Sequence, residues 1–322
     1  MTLSTAVNAY VQHKRSSGVQ FIHGIRVLTL FCGRVGDVPL ERITARRVLA
    51  FLNAPSKSTR AWRVEYSLLN YFFEYWNLRG QMPFLLLPSP RPREKRTFVP
   101  FIYTRFQIRS LLNATKICQK RLCSVDARTF RMFLLILYAT GARFSEVLNL
   151  RFEDIALRRS HITFRGTNAK RDRRIPIGSD LRQELESFLK SFPRKNQQGG
   201  QIFLAKSGQM IPTTTLMGSF QRLRRMAGVV RDDGQVRQPR MHDLRSTFAV
   251  HQITSWIKSG LDLNRMLPAL ATYMGNVCLE SAYRYLSMTP ERYRKELEKL
   301  SPQRGRRRWR DDANLMRFLD NL

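Results

Sequence analysis

Two short segments of the sequence contain side chains that could bind a phosphate. In MHDLRSTFAVHQI, His242 and Arg245 are three positions apart at a predicted helix start, so they share one helix face. Backbone N–H groups that are free at a helix start also attract anions. In TGARFSEVLNL, Arg143 follows Gly141 in a predicted tight turn, where its guanidinium can make two parallel hydrogen bonds to one phosphate. Each segment alone is also compatible with surface side chains that have no chemical role.

The charge of the chain indicates the class of molecule that it binds. The sequence has 56 Lys and Arg residues against 24 Asp and Glu residues, a formal net charge of +32. Such a chain repels itself unless a polyanion is its working partner, and nucleic acid is the commonest polyanion. The arginines are spread over segments that read as folded, which predicts a long surface that embraces double-stranded DNA rather than one basic arm.

The order of the motifs resembles the catalytic domain of the tyrosine recombinases, the phage-integrase and Xer-like family of site-specific recombinases. G-A-R-F-S-E is followed about a hundred residues later by H-D-L-R-S-T-F-A, then by M-G-N, and then by a tyrosine nine residues after Asn276. The resemblance covers roughly residues 104–297. It implies that Arg143 and Arg245 clamp a phosphate and that His242 acts as a general base or hydrogen-bond donor.

The same resemblance assigns the nucleophile to one of two neighbouring tyrosines. Tyr283 and Tyr285 would point about 200° apart on a helix, so only one can face a given cleft, and the family spacing selects Tyr285. A phenol is a poor nucleophile unaided, but arginines around the phosphate favour the phenolate and stabilise the charge that builds during in-line attack. The implied reaction forms a 3′-phosphotyrosyl link and needs neither metal nor cofactor.

Two positions depart from the family pattern. The family usually has His or Trp after M-G, whereas Asn276 can donate a hydrogen bond but cannot carry a proton. The general acid of the family is a hairpin lysine eight residues before a proline, and counting back from Pro176 gives Asn168. Lys170, two residues further on, is a candidate substitute in a shifted loop. The alternative is that Lys170 is a loop lysine that contacts the DNA backbone.

These residues are compatible with three functions. The leading hypothesis is an active or partly active DNA recombinase or integrase of a mobile element, in which Asn168 and Asn276 replace usual catalytic residues. The alternative is a catalytically impaired DNA-binding partner of an active paralogous recombinase. A plain helix-turn-helix regulator would explain the charge and the helices, but it would leave the arginines, the histidine and the tyrosine unexplained.

The elements that must position these residues are mostly α-helical, with a small antiparallel β element, in two domains. Residues 1–84 read as four amphipathic helices, which resemble the core-binding domain of the family. Residues 85–100 form a basic, proline-rich linker. Residues 101–300 form the catalytic domain, with short strands at HITFRG and RRIPIG. Residues 301–322 read as a basic tether and a C-terminal tail helix, a candidate for docking on a neighbouring protomer.

Location and assembly follow from the same features. No apolar run approaches the roughly 20 residues of a membrane span, and the start lacks a secretory signal pattern, so we expect a protein of the bacterial cytoplasm without membrane contact. The four cysteines predict neither a disulfide framework nor a zinc site. The resemblance implies a homo-tetramer on two DNA sites, or a hetero-assembly with a paralogous recombinase.

Overall fold

The structure is a computed structural model, and it describes residues 1–19, 21–54, 57–92, 98–117, 125–166, 172–192, 200–275 and 280–289. The chain divides into two units, Met1–Thr97 and Phe98–Leu322. Each unit has its own hydrophobic core. None of the helices within the described residues is long and apolar enough to span a membrane.

The first unit is built from four helices, α1 (Leu3–Ser16), α2 (Ile22–Val35), α3 (Ala45–Leu52) and α4 (Thr59–Asn77). Three of them begin after a hydroxyl side chain that accepts a hydrogen bond from a backbone N–H of the first turn: Thr2, Thr44 and Ser58. The apolar face of α4, read from the sequence as a core face, is buried at Leu69, Phe72, Phe73 and Trp76.

Part of the proline-rich segment after α4 packs on the first unit. Met82 is buried in the core of that unit. The Tyr66 hydroxyl donates to the Pro88 carbonyl at 2.8 Å, and the Arg91 guanidinium donates to Asn53 Oδ1 at 2.8 Å. The Trp62 indole N–H donates to the same Asn53 oxygen at 3.0 Å. The segment is thus held against α4 as far as Arg91.

The second unit contains the remaining helices of the described residues: α5 (Arg105–Ile117), α6 (Ala127–Thr140), α7 (Phe144–Leu148), α8 (Ser179–Lys190), α9 (Thr213–Met226), α10 (Asp243–Lys258), α11 (Leu263–Met274) and α12 (Glu280–Leu286). Helix α6 contains the apolar run MFLLILYA and packs against α5, α8 and α10. Its first turn is capped by Asp126, whose carboxylate accepts backbone hydrogen bonds at 2.9 and 3.2 Å. Helices α10, α11 and α12 share a smaller apolar cluster.

The β element is a three-stranded antiparallel sheet in the order β1 (Ile155–Ala156), β2 (His161–Phe164) and β3 (Arg173–Pro176). The register pairs Ile162 with Ile175 and Phe164 with Arg173. The sequence predicted β2 and β3 but not the two-residue β1. The predicted fold class, mostly helical with a small antiparallel sheet, is confirmed.

Candidate active site

The turn after α6 requires a glycine. Gly141 ends the helix in the left-handed conformation, with φ 59°, where a side chain would be strained. An added Cβ would also collide with the Phe248 ring. Because this turn is tight, only Gly141 and Ala142 separate the end of α6 from Arg143, the residue directly before α7.

Arg245 extends from the first turn of α10 and is held by the ends of two other helices. Its Nη1 donates to the Gly141 carbonyl at 2.5 Å and its Nη2 to the Met274 carbonyl at 2.9 Å. These carbonyls lie at the C-terminal ends of α6 and α11, which carry partial negative charge and stabilise a cation. Burial lowers the pKa of Arg245, and Arg143 lowers it further, while Tyr285 acts in the opposite direction.

The Arg143 guanidinium lies beside that of Arg245 on the next carbonyl of the chain. Its Nη2 donates to the Gly275 carbonyl at 2.6 Å, one residue after the Met274 carbonyl that Arg245 uses. Its Nη1 donates to Glu146 Oε1 at 2.8 Å. The Arg143 side chain remains 24% exposed. The two arginines predicted to clamp one phosphate are therefore brought together by the end of α11.

Glu146 is the buried counter-charge of this cluster, at 7% exposure. Besides Arg143 Nη1, it accepts the backbone N–H of Arg143 at 2.8 Å and both Nη groups of Arg173 at 3.0 and 2.9 Å. Burial would raise the pKa of this carboxyl, but the hydrogen bonds from Arg173 and Arg143 outweigh burial and lower it. Glu146 is thus a carboxylate shared by two arginines.

Arg173 is a site residue that the sequence reasoning missed. A usable signal was present in RRIPIG. Residues i, i+2 and i+4 of a strand share one face, which places Arg173 on the same face as Ile175 and Ile177. Both isoleucines are buried. An arginine on the buried face of a strand requires a buried anion, and Glu146 supplies it.

Three tyrosines on α11 and α12 differ in their surroundings. Tyr273 donates its hydroxyl to the Pro176 carbonyl at 3.1 Å, and burial raises its pKa to about 12. Tyr283 is 45% exposed. Tyr285, on α12, is half-buried against the apolar cluster that α10 and α11 share, and its presence opposes the lowering of the Arg245 pKa.

His242 lies at the start of α10, next to the arginines. The residue is exposed, but partial desolvation of its ring lowers its pKa, and Arg245, Arg240 and Arg143 lower it further against the effect of Asp243. Lowering the pKa of a histidine favours the neutral ring at pH 7. His242 can therefore accept a proton or a hydrogen bond in the DNA-free protein.

Two predicted site residues, Lys170 and Asn276, lie outside the described residues, and so does Asn168. The C-terminal segment 301–322 lies outside them as well. Across the described ranges, no three His, Cys, Asp or Glu side chains are grouped as a metal ion would require.

The sequence profile of the phage integrase family matches residues 102–290, more than half of the chain. The match spans every element that contributes to the arginine cluster and to Tyr285. The chain therefore belongs to the phage integrase family, whose members are tyrosine recombinases that cleave and rejoin DNA.

Known proteins of this kind align with almost the whole chain. A Sinorhizobium fredii protein named as an integrase/recombinase, y4rB, is 26% identical over 321 residues, which cover 96% of this chain and 99% of its own. The tyrosine recombinase XerA of Thermococcus kodakarensis is 27% identical over 281 residues, 86% of this chain and 89% of its own. The Tn1549 transposon integrase in complex with a circular intermediate DNA has a similar fold, with a TM-score of 0.64 at 16% identity, covering 94% of this chain and 100% of that one.

Proposed function

We propose that the protein is a site-specific recombinase of a mobile element that cuts and rejoins double-stranded DNA through a 3′-phosphotyrosyl link at Tyr285. The observation that carries the proposal is the placement of Arg143 and Arg245 on the consecutive carbonyls of Gly275 and Met274. Two guanidiniums held side by side can share the charge of one phosphate, and Tyr285 packs on the apolar cluster of α10, the helix from which Arg245 extends.

The proposed reaction is a transesterification in which each bond broken is replaced by one formed. The Tyr285 oxygen attacks a backbone phosphorus, the P–O5′ bond breaks, and the 5′-oxygen leaves as a hydroxyl after taking a proton. A 5′-hydroxyl from another strand then attacks the phosphotyrosine and releases the tyrosine. Because the phosphodiester energy stays in the link, no ATP is consumed. Arg143 and Arg245 stabilise the charge on the non-bridging oxygens in both steps.

Two proton-transfer roles complete the proposal. A neutral His242 suits a general base or hydrogen-bond partner on the phosphate, since lost hydration and three nearby arginines lower its pKa. We assign the leaving-group proton to Lys170, which stands three positions before Arg173 in the connection between β2 and β3. Asn276 would donate a hydrogen bond to the phosphate. Loss of cleavage in Lys170→Ala supports this assignment, and full cleavage removes it.

The mobile-element role and the assembly are supported by the comparisons. Similar folds include the Tn1549 transposon integrase on DNA and a lambda integrase tetramer bound to a Holliday junction, with TM-scores of 0.64 and 0.62. We propose that this chain likewise acts on two DNA sites as a tetramer, in the bacterial cytoplasm. Deleting residues 311–322 should weaken the pairing of two sites while single-site binding is kept.

A trapping assay tests the proposed chemistry. Purified protein is incubated with nicked duplexes that tile the ends of its native element, and labelled DNA is separated under denaturing conditions. We expect a covalent DNA–protein band that is absent in Tyr285→Phe. Tyr283→Phe is the matched control, because it makes the same change two residues away and should keep the band. A band that survives in Tyr285→Phe would refute the assignment of the nucleophile.

A second function is favoured by Asn168, at the position of the family's general-acid lysine, and by Asn276, where the family usually has His or Trp. In that case the protein binds DNA beside an active paralogous recombinase without cutting it. Tight, salt-sensitive binding without a covalent band on any duplex would support this role. A band formed by the purified protein alone would exclude it.

A further inference from the structure

Arg173 makes a two-point contact with the carboxylate that also holds Arg143. Its Nη1 and Nη2 donate to the two oxygens of Glu146 at 3.0 and 2.9 Å, a paired geometry that fixes both planes. Its guanidinium carbon lies 5.0 Å from the centre of the Phe164 ring, on the residue paired with it across the sheet. The side chain is therefore held between a strand neighbour and a helix-borne carboxylate.

The burial of Arg173 distinguishes it from the arginines predicted to bind phosphate. Its side chain is 9% exposed, whereas that of Arg143 is 24% exposed. The Nε of Arg173 is buried and has no hydrogen-bond partner within the described residues. Both Nη groups are used on Glu146. Arg173 has little donor capacity to offer a phosphate on the surface, while Arg143 is more accessible.

Arg173 also restricts which residue type can follow α11. Gly275 has φ 66°, and a Cβ added there would collide with Nη1 of Arg173. The carbonyl of the same glycine accepts the hydrogen bond from Arg143. The Arg173 side chain thus binds Glu146 and restricts position 275. Both of these residues accept hydrogen bonds from Arg143.

We propose that Arg173 is a positioning residue: it orients Arg143 through Glu146 and Gly275 without contacting DNA itself. This role rests on the proposed function, because it is Arg143 whose orientation matters for cleavage. The sheet thereby contributes to the site through a residue of β3. The guanidiniums of Arg143 and Arg173 would repel each other. The Glu146 carboxylate, which accepts hydrogen bonds from both, offsets this repulsion and fixes their positions.

Hydrogen exchange tests the positioning role without requiring cleavage. In Arg173→Met, the amides of residues 143–148 should exchange roughly tenfold faster or more, because the carboxylate that accepts the Arg143 N–H loses its second anchor. Arg174→Met is the matched control, since Arg174 is the exposed neighbour on the same strand. In this variant the amides of residues 143–148 should exchange at the wild-type rate. Equal exchange in the two variants would overturn the proposal. If Arg173→Met does not fold, Arg173→Lys replaces it and should show a smaller increase.

Cleavage rates then test whether the effect passes through Glu146. The double variant Arg173→Met/Glu146→Gln should cleave no more than about threefold slower than the slower single variant, because both changes disturb one contact. If the two single defects in cleavage rate multiply in the double variant, the coupling between Arg173 and Glu146 is refuted. Absence of any wild-type adduct would refute the proposed function alone, and the exchange result would still decide the role of Arg173.

Discussion

Replacing Gly141 by alanine tests whether the turn after α6 sets the site. The left-handed conformation at φ 59° costs a non-glycine residue about 1–2 kcal/mol. The new methyl group would also collide with the Phe248 ring, whose Cγ and Cε1 lie 3.0 and 3.1 Å from the added Cβ, and overpacking of this kind costs about 1–3 kcal/mol. The sum, about 2–5 kcal/mol, corresponds to a fall in Tm of roughly 4–20 °C for a unit of this size.

Thermal unfolding of the DNA-free protein measures the effect, with Gly218→Ala as the control. Gly218 lies inside α9 in the same unit and has no atom within 4 Å of an added Cβ, so alanine should stabilise it by about 0.5–1 kcal/mol. Two identical changes should thus act with opposite sign. Because the Gly141 carbonyl holds Arg245, Gly141→Ala should also slow covalent adduct formation. A Tm of Gly141→Ala at or above wild type would refute the reasoning.

Two further predictions concern charge. The pKa of Glu146 is lowered, so its carboxylate stabilises the fold above the ordinary value of about 4.3 and this contribution is lost as the pH falls through the lowered pKa. Urea unfolding should therefore show a stability deficit of Glu146→Gln at pH 7 that shrinks towards pH 3, and a constant deficit would contradict it. Arg143→Lys should slow single-turnover cleavage by about 10²–10³-fold, because an ammonium cannot replace the paired donors. Its DNA affinity should fall less than about tenfold in a filter-binding titration, since many other basic residues contribute.

Most of the secondary structure could be read from the sequence because it depends on local patterns. The apolar run of α6 is bounded by Asp126 and Gly141, and each terminus has a local cause, a capping carboxylate and a left-handed turn. The strand β2 alternates polar residues with apolar ones and buries the apolar ones, Ile162 and Phe164. β1 was missed because two residues contain no periodicity. The packing of Met82 on the first unit depends on distant side chains, which no local pattern shows.

The candidate site divides in the same way. Motif order predicts Arg143, His242, Arg245 and Tyr285 as site residues, and the structure places the guanidiniums of Arg143 and Arg245 on consecutive carbonyls at the end of α11. Arg173 was not identified, because its role depends on Glu146, which lies 27 positions earlier in the chain. Whether Lys170 replaces the lysine absent at Asn168 stays a prediction.

The sequence by itself determined the chemical groups, their order and the helices and strands that contain them, since these depend on residue type and on contacts a few positions apart. Only the tertiary structure decided which guanidiniums share a carboxylate and which carbonyls hold them. Arg245 donates to Gly141, 104 positions away, and Arg143 to Gly275, 132 positions away. Such contacts form when whole helices pack, because burial leaves each cation to be satisfied by whichever helix end or carboxylate the packing brings within reach.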